Sequence, residues 1–517
     1  MEQLKHLLQN IIKYFFPILI FTVIIMITFF SNLSVFIKAQ NFIFPTPICM
    51  LIALILIIIL TIIYKTCRFT NIDSILRNTK IILIATLILF IFQIFVCWSA
   101  FFMTTWDPGV LTNNAYNIAH GQTDFLYHAY FSRYPNNLFL TFIFVQVYKF
   151  ADFIGFSSIE NGTFIIVIIQ CAISSLSGLL TFYITKNISG SIRTAWVSYF
   201  IYIALIGTSP WVMIPYSDSI TLIFPVFTMW LYTTLRNGRL QYLKWIIIVL
   251  TAFLGYKLKP QAVIVFIAVV IIHILYHKIT KSGMLFCVKL FIPLMALIVL
   301  LNSGISKAGN SLPLQLDAEQ KFGMSHFLML GLNYEHGGIY NTEDMAFSLQ
   351  YSTAKERKEA NLQEAVKRLK AFTPMQMIEH ITRKNVSNYS NGVFGWGQEG
   401  GAYFFKDVSE DRVPVISPFL KNSLYLQGKF YKYFAITKQI MWFFVLILCV
   451  FSLSKQGHSH TNLLLVIALS IIGLTIFETI FEARARYLYI YVPFYIILAS
   501  VGLRALINSK FLRRLKK

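Results

Sequence analysis

The chain has 517 residues, of which 57% are hydrophobic and 13% are charged, and its mean hydropathy is +0.65. A chain this apolar cannot find enough polar surface to dissolve, so the composition indicates a polytopic membrane protein and excludes a soluble enzyme. The formal net charge of +22 does not indicate nucleic-acid binding, because most Lys and Arg residues lie in short connections between apolar spans.

Apolar segments of about 20 residues, the length that crosses a bilayer, recur along the chain. The candidates are approximately 14–34, 44–64, 80–103, 138–156, 163–185, 195–213, 218–235, 244–257, 260–277, 283–302, 434–454, 461–480 and 487–507. The positive-inside rule places the basic stretches on the cytoplasmic face. These are 65–80, 186–193, 236–244, 277–281 and the tail 510–517.

This charge pattern requires one apolar segment that does not cross. Two segments separate the loop of Asp107, which should be outside, from the basic loop 186–193, which should be inside. The segment 138–156 is short and contains Lys149 and Asp152, so we interpret it as an interfacial or re-entrant helix of the first external loop. The alternative places the loop 186–193 outside. The apolar stretch before Arg236 would then cross in the direction opposite to the one that the basic loop after it requires. We therefore predict an all-α fold of about twelve transmembrane helices plus an interfacial helix, with both termini cytoplasmic.

The predicted spans divide the chain into regions. Two extra N-terminal transmembrane helices (1–79) precede a transmembrane core (80–302) with its first external loop at 104–160, an extracytoplasmic segment (303–433) and C-terminal transmembrane helices (434–517). The external segment should be mostly helical, because Thr353 followed by Glu356 forms a capping-box pattern. Thr373 before Pro374 is typical of a second helix start. Glycines at 337–338 and 395–401 indicate loops.

The sequence contains no CxxC and no P-loop, and its six cysteines are scattered. We therefore predict no disulfide, no zinc site and no cofactor. A divalent cation bound by Asp107 and Asp218 is a minor alternative.

The first external loop carries the most informative stretch, residues 104–137. Asp107 follows an apolar span directly, between Trp106 and Pro108. An acidic residue just outside a span suggests chemistry on a membrane-borne substrate, and the alternative is an Asp-Pro turn or helix cap in an ordinary loop. The residues after it are of types that hold sugars: Asn113, Asn114, Tyr116, His120, Tyr127, His128, Arg133 and Tyr134. Further aromatic candidates for stacking on a sugar are Trp396 and Tyr403, for which burial under a loop is the alternative.

Charged residues recur in the other predicted external turns. They are Asp218, Lys257, Lys259, Glu482, Arg484 and Arg486. Charges near the apolar layer are costly and tend to be functional. Arginine suits phosphate because its planar fork binds two oxygens, and a carboxylate suits deprotonation of an attacking hydroxyl. The alternatives are that Asp218 caps a helix, that the arginines mark the membrane interface and that Glu482 only neutralises them.

With these features the chain resembles the GT-C superfamily of integral-membrane glycosyltransferases, which use polyprenyl-phosphate sugars. It is similar in layout to the dolichyl-phosphate-mannose–protein mannosyltransferases and the aminoarabinose transferases. The resemblance covers about residues 80–507 and rests on WDPG in the first loop, the interfacial helix after it, the PYSDS turn, GYKLKPQ and ARARY. Many relatives carry two adjacent acidic residues where this chain has Asp107 and Pro108, and the next acid is Asp124. The WWD-type signature of oligosaccharyltransferases is missing, which disfavours en bloc oligosaccharide transfer.

The resemblance implies an inverting transfer of a sugar from undecaprenyl phosphate on the extracytoplasmic face of the cell membrane. The acceptor would be a teichoic acid, a wall polysaccharide or a glycolipid. Asp107 would act as the catalytic base or position the acceptor. The Lys-Pro turn, with Lys259 favoured over Lys257, and the arginines of ARARY would bind the donor phosphate. The remaining substrate-site candidates are Asp218, Glu482, Tyr116 and Arg133.

Three other functions compete with this hypothesis: a ligase, a flippase, and a sensor or purely structural membrane protein, against which the basic external turns argue only weakly. A ligase would transfer a teichoic-acid or polysaccharide chain from undecaprenyl pyrophosphate to a glycolipid, and it needs external cations just as the glycosyltransferase does. A flippase for lipid-linked sugars fits less well, because transporters tend to show internal repeats and this chain has a long external segment and no repeat.

Overall fold

The computed structural model describes residues 2–34, 45–66, 76–127, 129–235, 240–276, 281–396, 411–454 and 461–509. Its helical secondary structure confirms the all-α prediction. The helices of the first half are α1 (Glu2–Phe29), α2 (Thr46–Thr66), α3 (Thr79–Ser99), α4 (Asp107–Ala119), α5 (Tyr130–Arg133), α6 (Leu138–Phe153), α7 (Ile159–Ser189), α8 (Ile192–Tyr202), α9 (Ser217–Thr221), α10 (Ile223–Thr233), α11 (Leu240–Leu258) and α12 (Ile264–Tyr276).

The second half continues with α13 (Lys281–Asn310), α14 (Met324–Gly331), α15 (Thr342–Leu349), α16 (Ala354–Ala371), α17 (Pro374–Tyr389), α18 (Ile416–Leu424), α19 (Tyr431–Val450), α20 (Thr461–Ile480) and α21 (Val492–Ile507). Some of the predicted features fall outside the described residues. They are the basic positions 67–75, 236–239, 277–280 and 510–517, together with His128 and Tyr403.

Eight helices within the described ranges are long and apolar enough to cross a membrane. They are Lys5–Phe29, Thr46–Ile63, Thr79–Ser99, Ile159–Ser189, Leu240–Leu258, Tyr431–Val450, Thr461–Ile480 and Ala485–Ile507. Shorter apolar helices occupy Ile192–Gly207, Pro260–Tyr276 and Leu294–Asn310. The chain is therefore a multi-pass integral membrane protein, whereas the count of about twelve spans and the orientation of the termini stay predictions.

Helix α6 occupies the segment that we predicted not to cross. Its 16 residues extend about 24 Å at 1.5 Å per residue, which is shorter than the hydrocarbon core of about 30 Å. One side of α6 packs against α4 and α7. Its last turn exposes large apolar side chains, Phe150 and Phe153. This length and these exposed rings suit a helix at a membrane surface, and the interfacial position stays a prediction.

Two predicted spans, 195–213 and 218–235, are interrupted helices in the structure. Helix α8 passes into a π-helical turn at Ile203–Gly207 and then a 3₁₀ turn at Pro210–Met213. Helices α9 and α10 are separated at Leu222. Each of the two continuous helices that we predicted is therefore corrected to shorter pieces.

Side chains from three neighbouring helices bind the backbone carbonyls that this interruption leaves open. Lys438 Nζ donates to two carbonyl oxygens of the π-helical turn, at 2.6 and 3.2 Å. Gln93 donates to the Gly207 carbonyl at 3.0 Å, and Gln170 donates to two carbonyls of the following turn, at 2.8 and 2.9 Å. Irregular backbone at membrane depth is tolerated only where protein or water satisfies it. These buried polar side chains therefore explain why the helix can break here.

The last helix, α21, lies at the centre of the bundle and belongs to the most buried of the eight candidate spans in the described ranges. It contacts α7, α8 and α19. Gly502 permits the closest of these approaches, because a Cβ at that position would overlap the carbonyl oxygen of Leu448 on α19.

Gly502→Ala should therefore lower the melting temperature of the purified protein in detergent, because overpacking a tight contact costs about 1–3 kcal/mol. Gly304→Ala is the matched control, since Gly304 also lies within a helix but a Cβ there meets no atom within 4 Å. We expect this control to melt at or above the wild-type temperature, because Ala favours helix over Gly. Unchanged melting of Gly502→Ala would contradict the packing of α19 on α21.

Helices α14 to α18 form the segment between α13 and α19, and two of their starts follow the predicted local patterns. Thr353 and Glu356 make a reciprocal capping box at α16, and Thr373 makes another with Gln376 at α17. Both predicted helix starts are confirmed. Gly337 and Gly338 lie in a turn with φ of 65° and 74°, the left-handed region that glycine adopts most readily. Helix α13 continues to Asn310, past the predicted end at 302.

Candidate functional site

Polar residues from four separate turns meet at one end of the helices. The turns are the start of α4, the start of α9, the connection between α11 and α12, and the connection between α20 and α21. We call the following set the polar cluster: Trp106, Asp107, Tyr216, Asp218, Lys259, Glu482, Arg484, Arg486 and Tyr487. Six of its nine members are charged, and six of these nine residues were predicted as site residues from the sequence.

Asp107 lies in the first turn of α4, with Pro108 at the next position. The hydroxyl of Tyr216 donates to its Oδ2 at 3.2 Å. Burial raises the pKa of the Asp107 carboxyl above its ordinary value, although Arg486, the Tyr216 hydroxyl and Arg484 act in the opposite direction. A raised pKa makes the carboxylate a stronger base than an ordinary surface aspartate.

Arg486 lies beside Asp107 and packs against aromatic rings. Its guanidinium lies 4.8 Å from the ring centroid of Trp106 and 5.4 Å from that of Tyr216. The residue is only 7% exposed. Stacking on aromatic faces suits the planar guanidinium and fixes its orientation, so the charge is held in one place next to the carboxylate.

Glu482 binds the neighbouring arginine of the same turn. Arg484 Nε donates to Glu482 Oε1 at 2.9 Å, and the Tyr487 hydroxyl donates to Oε2 at 3.1 Å. Burial favours the neutral acid, but Arg484 and Arg486, together with the Tyr487 hydroxyl, outweigh it and hold the pKa of Glu482 below its usual range. Glu482 is thus an ionised partner of Arg484.

Asp218 and Lys259 form a buried ion pair on the other side of the cluster. Asp218 is fully buried and Lys259 is 5% exposed, and the Lys259 ammonium also lies 4.7 Å from the ring centroid of Tyr487. Among the described residues, Asp218 Oδ2 has no hydrogen-bond partner. The N-cap residue of α9 is Tyr216, whose side chain makes no capping hydrogen bond to the helix. The alternative that Asp218 caps this helix is therefore wrong.

The structure separates the two candidate lysines. Lys259 belongs to the polar cluster, whereas Lys257 is half-exposed and its ammonium lies 5.5 Å from the ring centroid of Phe253 on the same helix. The role of Lys257 in substrate binding stays a prediction, and the preference for Lys259 agrees with its position in the cluster.

Tyr116 lies outside the polar cluster, and its selection as a substrate-binding residue stays a prediction. Its ring packs 4.1 Å from that of His120 and 5.6 Å from that of Tyr148, and its hydroxyl donates to the Ser157 carbonyl at 3.3 Å. Tyr116 lies about two and a half turns after Asp107 along α4, and its side chain points into the packing with α6 rather than toward Asp107.

Arg133 lies at the edge of the cluster. Its carbonyl accepts a hydrogen bond from Phe322 N at 3.0 Å. Its charge lowers the pKa of Tyr134 and of Tyr340, and Asp107 raises the pKa of both, although burial is the larger cause of their raised values. Arg133 therefore lies between the first loop and the segment after α13.

The other aromatic candidate, Trp396, has a structural position. It is 4% exposed, its indole nitrogen donates to the Leu424 carbonyl at 2.7 Å, and its ring contacts those of Phe102 and Trp211. Trp396 was predicted either to stack on a sugar or to be buried under a loop, and the structure shows it buried.

Sequence reasoning did not select the three aromatic members of the cluster. Trp106 and Tyr216 stand directly beside or near predicted acids, in WDPG and PYSDS, and Tyr487 ends ARARY. Aromatic residues are frequent throughout this chain, so their presence alone does not mark a site. The only signal in the sequence was that these three stand in the same short motifs as the charged candidates. In the part of the chain that the structure describes, no group of three or more His, Cys, Asp or Glu residues is placed to hold a metal ion.

A comparison with protein families gives one match. The family model described as "conserved hypothetical integral membrane protein" matches residues 4–506, which is nearly the whole chain. The chain belongs to this family. Neither the curated proteins nor the solved structures contain a match. Membership in the family agrees with the multi-pass architecture and includes the two N-terminal helices, so these are part of the family's common length.

Proposed function

We propose that this protein is a membrane glycosyltransferase of the GT-C type. It transfers a sugar from undecaprenyl phosphate to a cell-envelope acceptor on the extracytoplasmic face, with inversion at the sugar carbon. The observation that carries the proposal is that a basic carboxylate, Asp107, lies in the same polar cluster as the cations Arg484 and Arg486, whose charges act on it. An enzyme of this kind needs one group to accept a proton and others to stabilise a departing phosphate.

The reaction proceeds by a single displacement. Asp107 accepts the proton of the acceptor hydroxyl as its oxygen attacks the anomeric carbon. The bond between that carbon and the phosphate oxygen breaks, and undecaprenyl phosphate leaves with the bonding electrons. Arg484 and Arg486 stabilise the negative charge that grows on the leaving phosphate, because fixed cations in a site with little water act strongly. Protein cations supply this stabilisation, so the mechanism requires no metal ion.

The proposal is supported by the fact that residues from separate turns of the chain lie together. The turns that resemble GT-C motifs are far apart in sequence, yet their charged residues share one cluster. The flippase alternative has no comparable observation behind it. The ligase alternative uses the same cations, and the donor distinguishes it from the glycosyltransferase.

The test is transfer by the purified protein in detergent, with radiolabelled undecaprenyl-phosphate sugars and a wall-polymer acceptor. Transfer from one of these donors is the expected result. The matched assay uses a polymer chain on undecaprenyl pyrophosphate with a glycolipid acceptor. Transfer only in this second assay would replace the proposal with the ligase, and no transfer in either would overturn the enzymatic function.

Tyr216→Phe should move the acidic limb of the kcat/KM profile to higher pH. The Tyr216 hydroxyl lowers the pKa of Asp107, so its removal raises that pKa further. The base form of Asp107 is then lost earlier as the pH falls. Tyr334→Phe is the control, because that hydroxyl bonds Glu379 in the external segment, and its profile should follow the wild type. A Tyr216→Phe limb at or below the wild-type pH would contradict the role of Asp107 as base.

A further inference from the structure

The segment between α13 and α19 contacts both sides of the polar cluster. Near the first loop, Asp317 N donates to the Ser132 hydroxyl at 2.9 Å, next to the backbone bond between Phe322 and Arg133. Near the last turn, Ala483 N donates to the Gly338 carbonyl at 2.8 Å. The segment thus links the loop that carries Asp107 to the turn that carries the arginines.

A buried lysine adds hydrogen bonds beside the second of these links. Lys384 of α17 is 0% exposed, and its ammonium donates to three backbone carbonyls. The acceptors are Gly331 at 2.8 Å, Thr479 at 2.7 Å and Phe481 at 2.6 Å. One acceptor ends α14, and the other two lie at the end of α20. Of these two, Phe481 directly precedes Glu482. A single side chain therefore joins the external segment to the start of the arginine turn.

Two glycines, Gly331 and Gly338, permit this close approach. A Cβ at Gly331 would overlap the backbone of Ile480 and Phe481, and a Cβ at Gly338 would lie 2.9 Å from Lys384 Cε. The carbonyls at the C-terminal end of a helix have no partners within the helix and carry partial negative charge. The ammonium supplies both the missing donors and the opposite charge.

An ammonium in such a position is energetically expensive. Burial lowers the pKa of Lys384 to about 7, against the attraction of Glu478 and Glu482. Packing alone would be served better by an apolar side chain of similar length, because a buried charge is tolerated only with specific partners. The three hydrogen bonds to carbonyls are what a methionine at this position would not provide.

We infer that Lys384 is a positioning residue, which holds the turn 481–487 against the external segment and so fixes Arg484 and Arg486 for phosphate binding. The phosphate part of this inference rests on the proposed function. The inference rests on geometry. Lys384 donates to the carbonyl of Phe481, and the next residue, Glu482, begins the part of the turn that carries the two arginines.

The experiment compares Lys384→Met with Arg383→Met in the full-length protein. Arg383, the preceding residue of α17, donates to the Tyr334 and Glu335 carbonyls inside the external segment. Amide hydrogen exchange of peptides from 479–491 and the affinity for undecaprenyl phosphate are measured for both. For Lys384→Met we expect exchange in these peptides and the Kd for undecaprenyl phosphate each to increase about tenfold, because hydrogen bonds from a charged donor are lost. Arg383→Met should change neither.

The outcomes separate positioning from general stability. Faster exchange confined to 479–491 supports the inference, whereas equal acceleration throughout 311–389 would indicate a general structural role and overturn it. If Lys384→Met does not fold, Gly331→Ala replaces it, since it displaces the same contact and should accelerate exchange in the same peptides. Wild-type exchange in the variant that folds would also overturn the inference. If the wild type binds no undecaprenyl phosphate, the proposed function fails, and the exchange alone decides the role of Lys384.

Discussion

Asp107→Asn should lower the rate of sugar transfer by about 10²–10⁴-fold, the usual contribution of a general base. The amide has nearly the shape of the carboxylate and can still accept the hydrogen bond from the Tyr216 hydroxyl, so the fold of the first loop should persist. It has no basic oxygen to take the acceptor's proton. The measurement is the initial rate at saturating donor, together with protein yield and melting temperature.

Asp124→Asn is the control for this variant. Asp124 is the next acidic residue of the same loop and its side chain is exposed, so this substitution should leave the rate at the wild-type value. If transfer survives Asp107→Asn at the wild-type rate, the enzyme class stands and the assignment of the base is wrong.

Lys259→Met should destabilise the protein by about 3–5 kcal/mol, because it leaves Asp218 as a buried charge without its partner. Both residues of the pair are almost fully buried, so water cannot take the place of the lysine. The measurement is the melting temperature in detergent. Lys257→Met is the control from the same turn. Lys257 is half-exposed, and we expect a change below about 1 kcal/mol for it.

The double variant Asp218→Asn with Lys259→Met tests the pairing itself. Removing both charges of a buried ion pair costs less than removing one, because no unpaired charge stays buried, so we expect the double variant to recover most of the stability lost in Lys259→Met. Losses that simply add in the double variant would show that the two charges do not interact and would contradict the buried pair.

The local features of the fold could be predicted because their causes are local. The capping boxes at Thr353 and Thr373 depend on residues three positions apart, and both helices begin where the pattern places them. The interruption in 195–213 could not be predicted. It depends on side chains of Gln93, Gln170 and Lys438, which come from other helices and bind the open carbonyls. A sequence window that contains only the apolar run has no information about these donors.

The candidate site shows the same division. The residue types and the turns that carry Asp107, Lys259 and Arg486 were visible in the sequence. Which charge binds which was not, and the local interpretation of Asp218 as a helix cap was wrong because a lysine 41 positions later is its partner. The position of Tyr116 outside the polar cluster was not visible in the sequence either, since the direction of its side chain follows from the packing of α4 on α6.

By itself, the sequence determined that this protein is an all-α integral membrane protein with an acidic residue at the start of its first loop. Hydropathy, helix periodicity and capping act over one span or one turn, so a single chain segment contains the whole cause. Only the tertiary structure decided that Arg486 stacks on Trp106 and Tyr216, that Asp218 pairs with Lys259, and that Lys384 joins the segment between α13 and α19 to the arginine turn. These contacts join residues tens to hundreds of positions apart, and they exist because helix packing excludes water and leaves each buried charge or carbonyl with the partners that the neighbouring helices present.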